Sequence, residues 1–167
     1  VTFGENGIFK SIKKGAVYID NTTASATIAR EIYSHAKKNG FGFLDAPVSG
    51  GQAGAENGAL TVMVGGDQED FDKALDKIDC YSKKVKLLGK SGSGQLAKMV
   101  NQICIAGLVQ GLSEAINFGQ KAGLNMEDVI EVISKGAAQS WQMENRYKTM
   151  LEAVSYTHLT LPTSVLV

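Results

Sequence analysis

The segment Asp45-Ala46-Pro47-Val48-Ser49-Gly50-Gly51 follows an apolar run, Phe41 to Leu44, and carries the proline that stops it. Proline lacks an N–H donor and restrains its own φ, so it interrupts regular strand pairing. The paired glycines let the backbone adopt unusual angles or lie directly against a ligand. A serine hydroxyl and backbone N–H groups are therefore expected on a bend at a strand end, where ligands bind in α/β proteins. From these residues alone, a tight surface turn is an equally good interpretation.

Upstream of this segment, helical and extended patterns alternate. A helix end is predicted over 4–14, a strand over 16–19, a helix over about 25–38 and a strand over 41–45. The polar residues 20–23 follow the first strand and can also cap the next helix. This order of elements predicts a largely parallel sheet.

Downstream, two more strands, 59–64 and 85–88, flank a helix predicted at about 68–79. The glycine-rich run 89–94 then breaks the pattern and indicates a domain boundary. Beyond it the pattern is helical, with helices predicted at about 94–123, at about 126–135 and from Ser140 onward. Glycines inside the long helix would each weaken it by up to ~1 kcal/mol, which suggests close contact with another helix.

The composition indicates a globular protein: 44% of the 167 residues are apolar, and 17 basic side chains balance 17 acidic ones. This balance favours no nucleic acid or anionic membrane partner, and no apolar run approaches the roughly 20 residues of a membrane span. Cys80 and Cys104 match no metal or redox pattern, so a cytoplasmic location is the simplest expectation. The chain begins in mid-pattern and is expected to be a fragment, and residues 154–167, which lose the helix period, are expected to be a non-native tail.

Further motifs follow the opening segment in order: Gly54-Ala55, Gly58, Leu60-Thr61, Met63-Val64-Gly65-Gly66, Gly92, Gly94-Gln95, Lys98 and Asn101. Over about residues 4–151, the sequence resembles the β-hydroxyacid dehydrogenase family, which includes 3-hydroxyisobutyrate dehydrogenase and tartronate semialdehyde (2-hydroxy-3-oxopropionate) reductase. The resemblance implies an α/β fold: the C-terminal half of a Rossmann-type dinucleotide-binding domain, followed by the start of an all-α 6-phosphogluconate-dehydrogenase-like domain. It implies a partial NAD(P)-binding domain at 1–91 and a partial helical catalytic and dimerisation domain at 92–153.

The resemblance also assigns roles to individual residues. Lys98 matches the catalytic lysine, which transfers a proton to or from the substrate oxygen. Without the resemblance, a solvated surface lysine would be the favoured interpretation. Ser49, Gly50 and Gly51 match the loop that binds the substrate carboxylate, since a hydroxyl and free N–H groups suit an anion.

Three more residues complete the expected site. Asn101 and Gln102 are expected at the substrate, and Gln102 stands where the family often has asparagine. The Asn-Gln pair resembles tartronate semialdehyde reductases and favours that substrate, although a polar residue between packed helices is the alternative. Thr23 matches the threonine or serine near the nicotinamide of NAD or NADP; a helix N-cap is the structural alternative, and both roles can hold together.

These resemblances together imply an NAD(P)-dependent oxidoreductase that interconverts a short β-hydroxyacid and its semialdehyde, as a homo-oligomer in its full-length form. Because the family's pyrophosphate-binding loop precedes the region present here, the chain alone is expected to be inactive. Two alternatives stay open: a non-catalytic relative that acts as an assembly module, and an imine-reducing relative. In both, the residue matching Lys98 is usually altered, so Lys98 counts against them.

Overall fold

The computed structural model describes residues 2–152. After a short 3-10 helix at Ile8–Lys10, the described residues form the following elements in chain order: β1 Val17–Asp20, α1 Ala26–Asn39, β2 Gly42–Asp45, β3 Val48–Ser49, α2 Gly51–Glu56, β4 Leu60–Val64, α3 Gln68–Asp79, β5 Ser82–Leu87, α4 Ser93–Lys121, α5 Met126–Ile133 and α6 Trp141–Leu151. The tail expected at 154–167 lies outside the described residues.

Helix α1 connects the two parallel strands β1 and β2. It begins after Ser25, whose side-chain oxygen accepts a hydrogen bond from the N–H of Ile28. It ends at Gly40, whose φ of 78° is the left-handed conformation that glycine adopts readily at a helix C-terminus. In the parallel register of the two strands, Asp20 pairs with Asp45, so the carboxyl ends of β1 and β2 lie side by side.

Strand β2 lies at the centre of the packing, and all four of its residues are buried. Phe43 belongs to a cluster with Ala29 and Ile32 of α1, whereas its neighbour Leu44 belongs to a cluster with Phe71 of α3. Because successive side chains of a strand point to opposite faces of the sheet, α1 and α3 cover opposite faces. This two-sided burial is typical of a doubly wound α/β sheet.

The remaining strands form a second group in the order β3-β4-β5. Strand β4 pairs in parallel with β5 and antiparallel with the two-residue strand β3. An antiparallel bridge between Asp45 and Gly65 joins this group to β2, with N···O distances of 3.0 and 2.8 Å. The predicted parallel arrangement therefore holds for β1-β2 and β4-β5, whereas β3 and the bridge from Asp45 to Gly65 are antiparallel.

Three local predictions differ from the structure. A short 3-10 helix and turns replace the α-helix expected over 4–14. Strand β5 begins at Ser82 rather than at residue 85, because parallel pairing with β4 extends the ladder beyond the apolar run. The segment after Pro47 forms strand β3 and helix α2, which the pattern did not predict, since backbone pairing with β4 rather than side-chain periodicity produces β3.

Helices α4, α5 and α6 supply a third cluster, with Leu112 and Ile116 of α4 against Met126, Ile130 and Met143. The Asn125 side chain accepts a hydrogen bond from the N–H of Glu127, as predicted for an N-cap of α5. Close helix contact explains one glycine of α4, since a Cβ at Gly119 would lie 2.1 Å from the Met126 sulfur. Cβ atoms at Gly107 and Gly111 would meet no described atom within 4 Å.

The chain divides into two compact units, Val1–Asn101 and the residues from Gln102 onward. This division falls inside α4, whereas the sequence analysis placed a domain boundary at 91/92, which stays a prediction. By length and composition alone, α4 is also apolar enough to cross a membrane, contrary to the expectation from the sequence. A single helix of this kind is weak evidence, because core helices of water-soluble proteins pass the same test.

Candidate functional site

The polar segment after β1 lies at the carboxyl end of the β1-β2 pair. The Asn21 side-chain amide donates a hydrogen bond to the Ala46 carbonyl at 2.7 Å, and the Asp20 carboxylate accepts one from the Thr22 N–H at 3.0 Å. Thr23 is exposed beside them. Ser25, not Thr23, caps α1, so the structure contradicts the N-cap role of Thr23.

The segment after β2 presents a serine and two glycines on a bend. Ser49 ends β3 and pairs with Thr61 of β4, which fixes its backbone. Gly50 has a φ of 141° and Gly51 a φ of 62°, both in the region that favours glycine. A Cβ at Gly50 would also lie 2.9 Å from the Leu60 side chain. These two glycines therefore carry the chain from β3 into α2 while leaving Ser49 at the strand end.

Lys98 of α4 lies beside this segment. Its Nζ donates a hydrogen bond of 2.7 Å to the carbonyl of Val48, the residue before Ser49. The side chain is half-buried, and burial lowers the pKa of the Lys98 amine because the charged form loses solvation. Among the described residues, no ion pair involves Lys98. The structure thus brings together two of the predicted site elements, the lysine and the Ser49–Gly51 bend.

Asp45, the last residue of β2, holds the start of α4 through its carboxylate. Its carboxylate is fully buried and accepts hydrogen bonds from the N–H of Gly92 at 2.7 Å and of Gln95 at 3.0 Å. Burial raises the pKa of Asp45, and these backbone donors oppose the shift. A Cβ at Gly94 would lie 2.4 Å from the Met63 carbonyl oxygen and 2.5 Å from that of Asp45. Glycine at 94 therefore allows α4 to begin directly against the strand ends.

Gln95 joins the first turn of α4 to the segment after β1. It is 1% exposed, its Oε1 accepts from the N–H of Ala24 at 2.9 Å, and its Nε2 donates to the carbonyl of Thr22 at 2.7 Å. No sequence pattern predicted a role for Gln95 or Asp45. The position of Gln95 in the quoted Gly94-Gln95 motif was the available signal, but its partners are more than 70 positions away.

Asn101 and Gln102 follow Lys98 on α4, and both are half-buried. Residues 98 and 102 are one helical turn apart, so their side chains leave α4 on the same side. The substrate roles assigned to Asn101, Gln102, Ser49 and Thr23 stay predictions. No cluster of His, Cys, Asp and Glu suited to a metal ion occurs in the described part of the chain, and Cys80 and Cys104 are exposed there as free thiols.

Two family models match the chain. The NAD-binding domain of 6-phosphogluconate dehydrogenase matches residues 1–89, and the NAD-binding domain of NADP-dependent 3-hydroxyisobutyrate dehydrogenase matches residues 92–160. These matches confirm the α/β fold class, with a Rossmann-type part followed by a helical part, and NAD or NADP as the cofactor of the family.

Individual relatives agree with the family models. An uncharacterized oxidoreductase of Shewanella frigidimarina is 63% identical over 90% of this chain and 52% of its own length. A probable mitochondrial 3-hydroxyisobutyrate dehydrogenase of Dictyostelium discoideum is 39% identical over 84% of this chain and 44% of its own length. The chain thus spans about half the length of the curated relatives it matches.

A solved structure of a 3-hydroxyisobutyrate dehydrogenase is also similar to this chain. The structure of Mycobacterium tuberculosis 3-hydroxyisobutyrate dehydrogenase with L-serine has a TM-score of 0.74 and 33% identity, over 80% of this chain and 46% of that one. This chain therefore carries its half-buried Lys98, beside the Ser49–Gly51 bend, on a fold that it shares with that dehydrogenase. From the two family models and these relatives, we conclude that the chain belongs to the β-hydroxyacid dehydrogenase family of NAD(P)-binding oxidoreductases.

Proposed function

We propose that this chain is part of an NAD(P)-dependent dehydrogenase that interconverts a short β-hydroxyacid and its semialdehyde. The observation that carries the proposal is the hydrogen bond from Lys98 Nζ to the Val48 carbonyl, which holds an amine next to the Ser49–Gly51 bend. A proton donor beside an anion-binding bend suits a substrate that has a carboxylate close to a reacting carbonyl.

Lys98 is proposed to transfer the proton. In the reduction, the carbonyl carbon gains a hydride and the carbonyl oxygen gains a proton from Lys98 Nζ, so that an alcohol forms; oxidation reverses both transfers. The lowered pKa of the Lys98 amine makes the proton easier to give up than that of a solvated lysine. The Val48 carbonyl accepts one Nζ hydrogen, which orients the amine while leaving its other hydrogens for a substrate.

The substrate carboxylate is proposed to bind at Ser49, Gly50 and Gly51, and Gln102 and Asn101 are proposed to contact the rest of the substrate. L-serine, named with the M. tuberculosis structure, is itself a short β-hydroxyacid and is consistent with this class. Gln102 is proposed to favour tartronate semialdehyde over methylmalonate semialdehyde, the oxidised form of 3-hydroxyisobutyrate, because the former has a hydroxyl in place of a methyl group and an amide can hydrogen-bond that hydroxyl.

The segment Asn21–Ala24 fits the nicotinamide side of a dinucleotide, since it carries the exposed Thr23 at the carboxyl ends of β1 and β2. Thr23 is proposed to contact the nicotinamide. When bound, NAD or NADP supplies or accepts the hydride. The proposed homo-oligomer, the lack of a nucleic acid or membrane partner and the cytoplasmic location remain predictions of the same proposal.

The test is an assay of the full-length protein. Oxidation of NADH and of NADPH is measured with tartronate semialdehyde, methylmalonate semialdehyde and succinate semialdehyde, for wild type, Lys98→Ala and the exposed-lysine control Lys84→Ala. We expect turnover of one semialdehyde, lost by at least ~100-fold in Lys98→Ala and unchanged in Lys84→Ala.

Other outcomes discriminate the alternatives. Bound cofactor without turnover of any semialdehyde would favour the assembly module, whereas turnover of cyclic imines instead would favour the imine-reducing relative. The 167-residue chain alone is expected to show no turnover, because it spans about half of its relatives' length. Measurable turnover by this chain would contradict that expectation.

A further inference from the structure

The side chain of Gln95 holds the two peptide groups that flank Thr23. Its Oε1 lies 2.9 Å from the Ala24 nitrogen and its Nε2 lies 2.7 Å from the Thr22 oxygen. Gln95 is 1% exposed, so water cannot readily replace either bond. The Gln95 amide therefore satisfies the Ala24 N–H and the Thr22 carbonyl, which flank the exposed Thr23. Only a side chain that has both an acceptor and a donor can make these two bonds.

The backbone of Gln95 is held just as firmly. Its N–H donates to Asp45 Oδ2 at 3.0 Å, and the buried Asp45 carboxylate also accepts from the Gly92 N–H. The backbone of Asp45 is bridged to Gly65, the residue that follows β4. The first turn of α4, where Gln95 lies, is thus tied to the end of the sheet.

Lys98 lies three positions after Gln95 on the same helix, with its Nζ against the Val48 carbonyl. The Thr23 segment, the Ser49 bend and Lys98 come from three different elements. The hydrogen bonds of Gln95 and Asp45 connect the Thr23 segment and the end of β2 to the first turn of α4 through buried polar contacts, which are costly to leave unsatisfied. Lys98 makes the contact to the Ser49 bend through its own hydrogen bond to Val48.

We propose that Gln95 is a positioning residue, which sets the Thr23 segment at a fixed distance from Lys98 and thereby aligns the nicotinamide side of the site with the proton-transferring amine. This inference rests on the proposed function. Misplacement of reacting groups by about 1 Å can cost ~100-fold in rate, so loss of this connection should lower kcat more than it raises the KM for the semialdehyde.

Two substitutions separate positioning from mere packing. Gln95→Leu keeps similar volume but removes both hydrogen bonds. Gln95→Glu keeps the acceptor for the Ala24 N–H but places an oxygen against the Thr22 carbonyl, unless the introduced acid is protonated. Asp45 and Asp20, which accept from the N–H groups of Gln95 and Thr22, would both favour protonation of that acid.

The experiment measures kcat and KM of the full-length protein across the pH range, for wild type, both Gln95 variants and the exposed control Gln68→Leu of α3. We expect kcat to fall by ~10- to 100-fold in Gln95→Leu at every pH. In Gln95→Glu, the ratio of its kcat to that of wild type should rise as pH falls, because the protonated acid again donates to Thr22. Gln68→Leu should match wild type, since its amide contacts an exposed Asp72.

Hydrogen exchange supplies a readout that does not depend on turnover. The Ala24 N–H, bonded to Gln95 in wild type, should exchange at least ~10-fold faster in Gln95→Leu, while amides of α3 keep their rates. Unchanged kcat in both Gln95 variants, or equal loss at all pH values in Gln95→Glu and Gln95→Leu, would overturn the inference. Absence of turnover in wild type would overturn the proposed function and this inference together.

Discussion

At the scale of single residues, Lys98 differs from a surface lysine through its surroundings. Burial lowers the pKa of its amine, since desolvation disfavours the charged form, and its hydrogen-bond acceptor, the Val48 carbonyl, is neutral. The interpretation of Lys98 as a solvated lysine, which its isolated sequence position favoured, is therefore wrong. Half-burial gives Lys98 a pH dependence that can be measured.

The proton-donating form of Lys98 is lost as pH rises through its lowered pKa. We expect kcat for semialdehyde reduction to decline at a lower pH than the ordinary lysine value would give, and kcat for hydroxyacid oxidation to rise over the same range. Lys98→Arg, which stays charged, should remove this titration from any residual activity. Rate profiles of wild type and variant in both directions provide the check, and an identical inflection in Lys98→Arg would contradict the assignment.

At the scale of elements, the start of α1 assigns the helix N-cap to one residue and leaves the expected nicotinamide contact to another. Ser25 caps the helix, and Thr23 lies outside it. Ser25→Ala should lower the free energy of unfolding by ~1 kcal/mol. Thr23→Ala should change it by less than about 0.5 kcal/mol, as expected of a surface position, yet raise the KM for the cofactor. Urea unfolding and steady-state kinetics of both variants test this; a large stability loss in Thr23→Ala would show that the residue is structural.

The junction between the sheet and α4 depends on the absence of a side chain. A Cβ at Gly94 would lie within 2.5 Å of two backbone carbonyl oxygens, so Gly94→Ala must move α4 away from the strand ends. We expect a stability loss of ~1–3 kcal/mol and loss of turnover, because Lys98 moves with the helix. Thermal unfolding and the semialdehyde assay measure both effects, and a fully active Gly94→Ala protein would contradict this account of the junction.

Gly107 is the matched control for that substitution on the same helix. A Cβ there meets no described atom, so Gly107→Ala should stabilise α4 by up to ~1 kcal/mol. Destabilisation by Gly107→Ala would instead indicate that another helix packs closely at this glycine, as the sequence analysis suggested.

At the scale of the whole molecule, α4 exposes large apolar side chains that the described residues do not cover, among them Ile103 at 74% and Phe118 at 72% exposed. We infer that these side chains form part of the surface that pairs two copies of the chain in the proposed homo-oligomer. We expect the full-length protein to be a homo-oligomer, and Ile103→Lys with Phe118→Lys to weaken its association. Light scattering coupled to size exclusion measures the mass, and a monomeric wild type would contradict the expectation.

The order of the main elements followed from periodicity and punctuation in the sequence. Apolar runs of four to six residues predicted β1, β2 and β4, and three- and four-residue repeats predicted α1, α3 and α4. The cap residue Asn125 and the stop at Gly136 predicted α5. Strand β3 and helix α2 were missed, because two paired residues and a six-residue helix leave too little periodicity to detect. The resemblance identified Lys98 and the Ser49–Gly51 bend from local motifs, and the structure brings these two together.

The sequence alone was thus enough to indicate the α/β class, the family and the site residues that lie in its motifs, since the spacing of apolar residues and the positions of glycines can be read directly from the chain. Tertiary structure alone decided which polar residues are buried and what they contact. Asp45 under the start of α4 and Gln95 across to Thr22 and Ala24 act over separations of 47 to 73 positions. No local pattern encodes such contacts, because burial and hydrogen-bond partners arise only when distant segments pack together.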